Sequence, residues 1–330
     1  MCFSRLQFLK AAAVGAISGT LLTGNGCANT TTGGASTGTA GGTGASAPKA
    51  ASPFARRLAL NTATISGFRL PLARQIEIAA AAGYDAIEPW LGDLAAVAAT
   101  GAGALRDAAK RRADAGLAVA GGIAFAPWIV GDATARAKGL DQLRRDMELI
   151  AAFGGTTIAA PPAGAYDPPA LDLDRVAERY RAALELGDKT GVTPMLEFWG
   201  GAATLSRLDQ CAYVAARAAH PNACVLADVF HMRRGGSAPA TLRLFGASSL
   251  RCLHVNDYPA GAPATLRDAD RVWPGDGIAP WREIFAALAA AGAAPWLSVE
   301  VFNERYWRGD PLATARAGRE KIAALAATLS

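Results

Sequence analysis

Eight short β-type segments alternate with helical segments from residue 56 onward, and this alternation limits the fold more than any other feature of the chain. Helical patterns between them carry start and stop signals: one opens at Pro71 and closes at Gly83, and another begins after Asp172 and ends at Gly191. Strands that alternate with helices of this length form parallel βαβ units. Eight units close a barrel, and no Gly-x-Gly-x-x-Gly motif follows the first strand to favour an open dinucleotide-binding sheet. We therefore predict a (β/α)8 TIM barrel over residues 56–330, with strands at 58–63, 84–89, 117–124, 156–161, 193–198, 223–228, 250–257 and 296–302.

The length and charge of the chain are compatible with this barrel and argue against nucleic-acid binding. The chain has 330 residues, 51% of them hydrophobic, and a barrel of this kind needs roughly 250 residues. The net charge is +5, but Lys and Arg are scattered over helical stretches and do not form the basic stripe of a nucleic-acid footprint. The five cysteines are odd in number and widely spaced, which predicts neither a disulfide framework nor a zinc knuckle.

Residues 1–27 have the layout of an export signal. A short positive region is followed by an apolar run that is too short to span a bilayer. The segment around Arg5 resembles a twin-arginine signal, except that Leu6 stands where the second arginine is expected. Cys27 resembles a lipoprotein acceptor cysteine, so a membrane tether and free periplasmic export both stay open. Residues 28–55 are predicted to be a linker, because most of this stretch is low-complexity sequence rich in Gly, Thr, Ser and Ala.

Acidic and imidazole side chains stand near the ends of the last four predicted strands. In a (β/α)8 barrel the functional residues lie at the carboxyl ends of the strands, where the βα loops gather. By this rule four consecutive strands place a candidate metal ligand on one rim: Glu197, Asp228, His254 and Glu300. Three carboxylates with one imidazole suit Mn²⁺, Mg²⁺, Co²⁺ or Zn²⁺. We therefore predict that these four residues hold one divalent metal ion, and that Asp257 on the same rim contacts the substrate.

Each of these residues has a purely structural interpretation when it is taken alone. A glutamate at a strand end is commonly a salt-bridge partner or a helix cap, and a lone histidine is commonly a hydrogen-bonded core residue. The joint pattern favours the functional interpretation, because two of the three histidines, His231 and His254, fall at predicted rim positions. We assign no role to the third, His220.

The segments that carry these residues resemble a known group of enzymes. The runs LEFWG, LADVFH, LHVND, RVWPGDG and SVEVF, in this order and spacing, are similar to the sugar phosphate isomerase/epimerase superfamily with the xylose-isomerase-like barrel. GYDAIE at residues 83–88 and VEVFNERYW at 299–307 extend the similarity, which is greatest to the inosose isomerases. The similarity is weak from about residue 58 and is strongest after residue 193.

The resemblance implies roles for individual residues. It implies that the four rim residues bind one divalent metal, that the two glutamates among them act as acid and base, and that His231 and Arg271 meet the substrate's oxygens. The alternative for Arg271 is an ion pair with Asp268 or Asp270 that braces its loop.

A metal site of this kind suits proton transfer next to a carbonyl. A divalent cation stabilises the enediolate that forms when the neighbouring carbon loses a proton, and carboxylates can remove and return that proton. Return to the neighbouring carbon gives an isomerase, and return to the opposite face of the same carbon gives an epimerase. We predict one of these two activities on a keto-sugar or inosose. The alternative is a lyase or dehydratase acting on a 3-keto-glycoside or dehydroshikimate-like substrate, in which a β-substituent departs.

Three tryptophans near the rim indicate a ring-shaped substrate. Trp90, Trp199 and Trp273 lie next to rim positions after predicted strands two, five and seven. Flat apolar faces suit the C–H faces of a sugar or cyclitol. The alternative is that each indole caps a helix–strand interface.

Two other classes of function are less compatible with the sequence. A DNA-repair nuclease of the same barrel uses several metals held by many histidines, and three histidines cannot supply that cluster. A carbohydrate-binding protein without catalytic activity would have no need for an intact set of four metal ligands.

Deleting residues 1–50 is expected to leave a folded, active and soluble protein. A polar, low-complexity segment buries too little apolar surface to contribute to a core. Melting temperature and turnover of the truncated and full-length proteins check this. Loss of folding after the truncation would show that the N-terminal segment is a structural element.

Overall fold

A parallel eight-stranded sheet forms the centre of the structure. The computed structural model describes residues 53–54 and 56–329, so the predicted signal peptide and nearly all of the predicted linker lie outside the described residues. The strands are β1 Leu58–Asn61, β2 Ala86–Glu88, β3 Ala118–Val119, β4 Thr157–Ala160, β5 Thr193–Glu197, β6 Cys224–Asp228, β7 Leu250–Val255 and β8 Trp296–Val299. Their order is β3-β2-β1-β8-β7-β6-β5-β4, and each neighbouring pair is parallel.

The sheet closes between β3 and β4 through a glycine. Gly122 donates its backbone N–H to Thr157 O at 3.1 Å and accepts from Ala159 N at 2.8 Å. The predicted (β/α)8 barrel is therefore confirmed. Regular strand geometry in β3 ends before Gly121, earlier than the predicted segment 117–124, because glycine weakens a strand interior.

The helices begin and end at the residues that the sequence marks for this purpose. Asp172 accepts a hydrogen bond from Arg175 N at 3.0 Å and caps one helix, which Gly191 ends in the left-handed conformation at φ 72°. The α-helices are α1 Leu72–Ala81, α2 Leu91–Ala98, α3 Ala104–Asp114, α4 Ala133–Ala152, α5 Leu173–Thr190, α6 Leu208–Ala218, α7 Val229–Gly235, α8 Trp281–Ala290 and α9 Pro311–Leu329. Among the described residues, no helix combines the length and apolar character needed to cross a membrane.

The barrel interior below the carboxyl ends of the strands is apolar. Ala59, Ala86 and Ala120 form one buried cluster on the first three strands and the loop beyond them. A second cluster contains Ile123, Ala159, Met195, Cys224, Leu226 and Cys252. The cysteines among the described residues are buried free thiols that pack as small hydrophobic side chains.

Candidate metal and substrate site

Polar side chains occupy the inward-facing positions at the carboxyl ends of the strands. Side chains alternate along a strand, so the residue two positions beyond an interior residue faces the same interior. The interior residues Ala59, Ala86, Met195, Leu226, Cys252 and Ser298 are followed two positions later by Asn61, Glu88, Glu197, Asp228, His254 and Glu300. The sheet register aligns Asp228 with His254, and His254 with Ser298. The strand alternation thus builds one polar layer at the rim of the barrel.

Three of the four predicted metal ligands converge closely. One ligand atom from each of Asp228, His254 and Glu300 lies within 4.8 Å of the others. Nδ1 of His254 is 3.2 Å from Glu300 Oε2 and 3.6 Å from Asp228 Oδ2. Glu197 is outside this group of three, and its Oε1 accepts a hydrogen bond from Trp199 Nε1 at 3.1 Å. All four side chains are buried.

The donor atoms of this cluster fit a divalent cation. Nδ1 of His254 is buried and makes no hydrogen bond with any described residue, although it faces two carboxylates. A cationic group already lies between the same carboxylates, since Arg271 Nη1 is 2.9 Å from both Asp228 Oδ2 and Glu300 Oε2. One imidazole nitrogen with several carboxylate oxygens is a ligand set used by Zn²⁺ and Mn²⁺. Metal binding at these residues stays a prediction.

Protonation of two of the candidate ligands is favoured in the metal-free site. Burial raises the pKa of Glu197 to about 8, and the carboxylates of Glu300 and Asp228 act in the same direction against His254. Burial alone would lower the pKa of His254, but the carboxylates of Glu300 and Glu88 outweigh it and hold that pKa well above its ordinary value. Glu197 and His254 therefore both carry protons near pH 7 when no metal is bound.

Metal binding is expected to release protons and to tighten as the pH rises from about 6 to 8. The cause is that Glu197 and His254 must lose their protons before they can serve as ligands, and both pKa values are raised in the metal-free protein. Titration calorimetry in buffers of different ionisation enthalpy should give about one to two protons released per metal ion near pH 7. An affinity that is independent of pH over this range would contradict the assignment.

Arg271 lies at the centre of the site. Its side chain is 1% exposed, and its guanidinium carbon lies 4.5 Å from the ring centroid of Phe230 and 5.1 Å from that of Phe302. Besides the two contacts of Nη1, Nη2 donates to Asp268 Oδ1 at 2.7 Å. The alternative partner, Asp270, instead pairs with Arg267. Arg271 thus combines the predicted brace to Asp268 with a position directly over the candidate ligands.

His231 extends the polar side of the site. It lies in α7, whose first turn is capped when Asp228 Oδ1 accepts from His231 N at 2.9 Å. The ring nitrogen Nε2 is 3.5 Å from Arg271 Nη2, and the buried Nδ1 has no hydrogen-bond partner among the described residues. Burial lowers the pKa of His231, which favours the neutral imidazole. A neutral ring with an unsatisfied nitrogen suits contact with a substrate hydroxyl.

Two of the three predicted tryptophans belong to a row of aromatic rings near the site. Trp90 lies 5.1 Å from Phe125, and Phe125 lies 6.2 Å from Trp199, between ring centroids. Phe302 and Tyr166 continue the row at 6.2 and 6.4 Å from Trp90 and Trp199. Trp90 Nε1 donates to Asn61, and Trp199 Nε1 donates to Glu197. The two indoles are therefore anchored to the polar layer.

Trp273 lies apart from this row of rings, and its contact with the substrate stays a prediction. Its ring stacks on Tyr306 with centroids 4.1 Å apart and an interplanar angle of 15°. It is buried within the main hydrophobic cluster, close to Gly318 of α9. This packing is compatible with the alternative interpretation, in which the indole caps a helix–strand interface.

Asp257 braces a loop, and its contact with the substrate stays a prediction. Its Oδ1 accepts from the backbone N–H groups of Tyr258 and Ala279, both at 2.8 Å. Its Oδ2 accepts from Gly275 N at 2.9 Å and Trp281 Nε1 at 2.8 Å. Since four donors occupy its two oxygens and the side chain is fully buried, Asp257 stabilises the Pro-Gly loop that carries Arg271 into the site.

The sequence analysis missed a second group of polar residues in the same layer. Glu88 accepts from His254 Nε2 at 3.0 Å, from Ser298 Oγ at 2.6 Å and from Asn61 Nδ2 at 3.1 Å. Asn61 Nδ2 also donates to Glu300 Oε1 at 3.0 Å. Glu88 ends the second strand in the run GYDAIE, so the strand-end rule would have found it if it had been applied beyond strands five to eight.

Two curated relatives are similar in sequence to part of this chain. An inosose isomerase of Bacillus licheniformis is 25% identical over 185 residues, which are 55% of this chain and 66% of that protein. An inosose isomerase of Halalkalibacterium halodurans is 29% identical over 125 residues, 38% of this chain and 44% of that protein. The chain thus spans between about two fifths and two thirds of the length of these curated relatives.

Solved structures and a family match agree with the observed barrel. The structure of the IolI protein with a zinc atom has a TM-score of 0.75 and 21% identity, covering 83% of this chain and 99% of that chain. The structure of L-ribulose 3-epimerase has a TM-score of 0.65 and 22% identity, covering 83% and 95%. Identities this low show the fold alone. The family described as xylose isomerase-like TIM barrel matches residues 76–325. The eight-stranded barrel and this match, which covers more than half of the sequence, establish that the chain belongs to the xylose isomerase-like TIM barrel family.

Proposed function

We propose that the protein is a divalent-metal-dependent isomerase or epimerase that moves a proton next to the carbonyl of a keto-sugar or inosose. The observation that carries the proposal is the buried cluster of Asp228, His254 and Glu300, with Glu197 beside it, at the carboxyl ends of the barrel strands. The inosose isomerases among the relatives and the zinc atom in the IolI structure support it.

In this proposal the two glutamates transfer the proton. Strands β5 and β8, which carry Glu197 and Glu300, are separated by β6 and β7, so the two carboxyl groups approach a substrate from different directions. A divalent ion held by this cluster would polarise the carbonyl and acidify the neighbouring C–H group. One glutamate, as the carboxylate, accepts the carbon-bound proton as the electron pair moves to the carbonyl oxygen. In an isomerase it returns this proton to the neighbouring carbon while the hydroxyl proton passes to the former carbonyl oxygen. In an epimerase the other glutamate, in its protonated form, delivers a proton to the opposite face of the same carbon.

In this proposal Arg271 and His231 bind the oxygens of the substrate. Arg271 lies against the same two carboxylates as the proposed metal, and its guanidinium can donate to an oxygen that gains negative charge during enolisation. The neutral ring of His231 can exchange a hydrogen bond with a hydroxyl. These polar contacts and the row of aromatic rings that includes Trp90 and Trp199 together suit an unphosphorylated sugar or cyclitol, which has both hydroxyl groups and apolar C–H faces.

Export is part of this proposal. Residues 1–27 carry the signal-like pattern, and Cys27 is the candidate lipid-acceptor residue. The substrate would then be met in the periplasm, by a free or membrane-tethered enzyme.

Deuterium exchange tests the proposed chemistry. The metal-loaded protein is incubated in D₂O with inososes, ketohexoses and 3-keto-glucosides, and proton NMR follows the hydrogen on the carbon next to the carbonyl. Exchange with conserved product mass supports the isomerase or epimerase, whereas exchange with a split or dehydrated product supports the lyase. Metal-stripped protein and the variant Glu197→Gln are the controls. If the loaded, folded protein exchanges none of these hydrogens, the proposal is wrong.

A further inference from the structure

Glu88 is a buried carboxylate at the base of the polar layer, on the side of His254 away from Asp228 and Glu300. It is the last residue of β2, and its side chain is 0% exposed. The donors His254 Nε2, Ser298 Oγ and Asn61 Nδ2 all converge on one oxygen, Oε2. The other oxygen, Oε1, lies 3.7 Å from Cys252 Sγ.

The barrel interior leaves space for this carboxylate. A Cβ atom on Gly121 would lie 3.0 Å from Glu88 Oε1 and 3.0 Å from Met195 Cε, closer than side chains normally approach. Packing against Glu88 and Met195 therefore favours glycine at residue 121, and this reason is independent of the strand geometry. A side chain at residue 121 would crowd the Glu88 carboxylate.

The contact with Glu88 decides which nitrogen of His254 carries a proton. Ser298 Oγ and Asn61 Nδ2 both donate to the oxygen of Glu88 that His254 Nε2 faces, and three donors converging on one oxygen stabilise an ionised carboxylate. An ionised carboxylate can only accept hydrogen bonds. The nitrogen that faces Glu88, His254 Nε2, must therefore carry a proton. In the neutral ring the lone pair is then on Nδ1, the nitrogen that faces Asp228 and Glu300.

Asn61 connects this arrangement to a second candidate ligand. Its Oδ1 accepts from Ala63 N at 2.9 Å and from Trp90 Nε1 at 3.2 Å, which fixes the orientation of the amide because both of these groups are donors. Its Nδ2 must then face the carboxylates, where it donates to Glu88 Oε2 at 3.1 Å and to Glu300 Oε1 at 3.0 Å. One amide group thus restrains Glu88 and Glu300 relative to each other.

We propose that Glu88 is a positioning residue of the metal site: it keeps the proton of His254 on Nε2, aims Nδ1 at the metal and, through Asn61, aligns Glu300. This inference rests on the proposed metal site and assigns a role to a residue that need not touch metal or substrate. Outer carboxylate partners of metal-bound histidines fix the ring orientation and increase the basicity of the ligand nitrogen. Their loss commonly costs about tenfold to a hundredfold in metal affinity.

The variant Glu88→Gln isolates the charge from the hydrogen bonds. An amide oxygen in the place of Oε2 can still accept from His254, Ser298 and Asn61, while the amide nitrogen takes the place of Oε1. We expect zinc affinity, measured by titration calorimetry, to fall about tenfold with an unchanged fold. Glu88→Ala removes the acceptor as well, and its expected loss approaches a hundredfold. Asp85→Asn is the matched control, because Asp85 precedes the same strand and its carboxylate accepts from Leu58 N at the opposite end of the barrel.

Nitrogen NMR of the imidazoles provides a readout that needs no variant and no turnover. The chain has three histidines, so the long-range ¹⁵N–¹H spectrum contains few signals, with His220 as a reference outside the site. In the zinc-loaded protein we expect His254 to show a protonated Nε2 and a metal-bound Nδ1. Zinc on Nε2, or full zinc affinity in folded Glu88→Gln and Glu88→Ala, would overturn this inference and leave the proposed function intact. Failure of the unaltered protein to bind zinc or manganese would instead overturn the proposed metal site.

Discussion

Alanine at Glu197, Asp228, His254 or Glu300 should abolish metal binding or reduce turnover to background. Each replacement removes one of the four proposed ligand atoms from the buried rim layer, so an incomplete ligand set would be left for the metal. The loss should exceed the roughly hundredfold decrease in affinity that follows removal of an outer partner of a ligand. Metal content of the purified variants and kcat/KM on the substrate found by deuterium exchange are the measurements.

Two controls make the result specific. Circular dichroism and melting temperature show whether each variant is folded, since a buried ion-pair partner left alone destabilises a protein. Asp85→Asn removes a carboxylate at the other end of the barrel and should keep full metal content and activity. If any two of the four alanine variants kept full metal content and turnover, the assigned site would be wrong.

Arg271→Lys should lower kcat/KM by about tenfold or more while the fold and the metal are retained. One guanidinium nitrogen donates to Asp228 and Glu300, and the other donates to Asp268. An ammonium group cannot reproduce this planar arrangement of donors. The positive charge is kept, so the carboxylates do not repel one another more strongly than before. Loss of turnover without loss of metal would indicate contact with the substrate.

A nearby arginine provides the matched control for this variant. Arg267 pairs with Asp270 three residues later, but its side chain is exposed, so Arg267→Lys should change neither turnover nor melting temperature appreciably. If Arg271 only braces its loop through Asp268, the lysine variant would show a lower melting temperature with turnover nearly intact. That pattern would remove Arg271 from the substrate site and leave His231 and Trp273 as the remaining candidates for binding the substrate.

The barrel was predictable because its signals are local. The alternation of strand and helix patterns, the caps at Asp172 and Gly191 and the polar residues at strand ends depend on neighbouring residues in the sequence. The strand-end rule also located the convergent residues Asp228 and His254, since a parallel barrel brings successive carboxyl ends to one rim.

The orientation of loop side chains was not predictable in this way. Trp273 and Asp257 occupy rim segments, but one stacks on Tyr306 and the other accepts four hydrogen bonds within its loop. A residue near the rim can point into the site or into the helix layer, and only packing between distant segments decides which. The rim position of Glu88 follows from the strand-end rule, but its contact with His254 joins residues 166 positions apart and depends on the closed barrel.

The central claim is that one divalent metal ion at the rim makes a C–H group next to a carbonyl labile to proton exchange. The most direct test is the rate of deuterium incorporation into a responsive keto-sugar or inosose as metal is added back to the stripped protein. The account predicts no exchange without metal, a linear rise up to one equivalent and a plateau beyond it, with Asp228→Ala inactive throughout. Equal exchange in the metal-stripped protein, or none at full metal occupancy with any of the inososes, ketohexoses and 3-keto-glucosides, would contradict it.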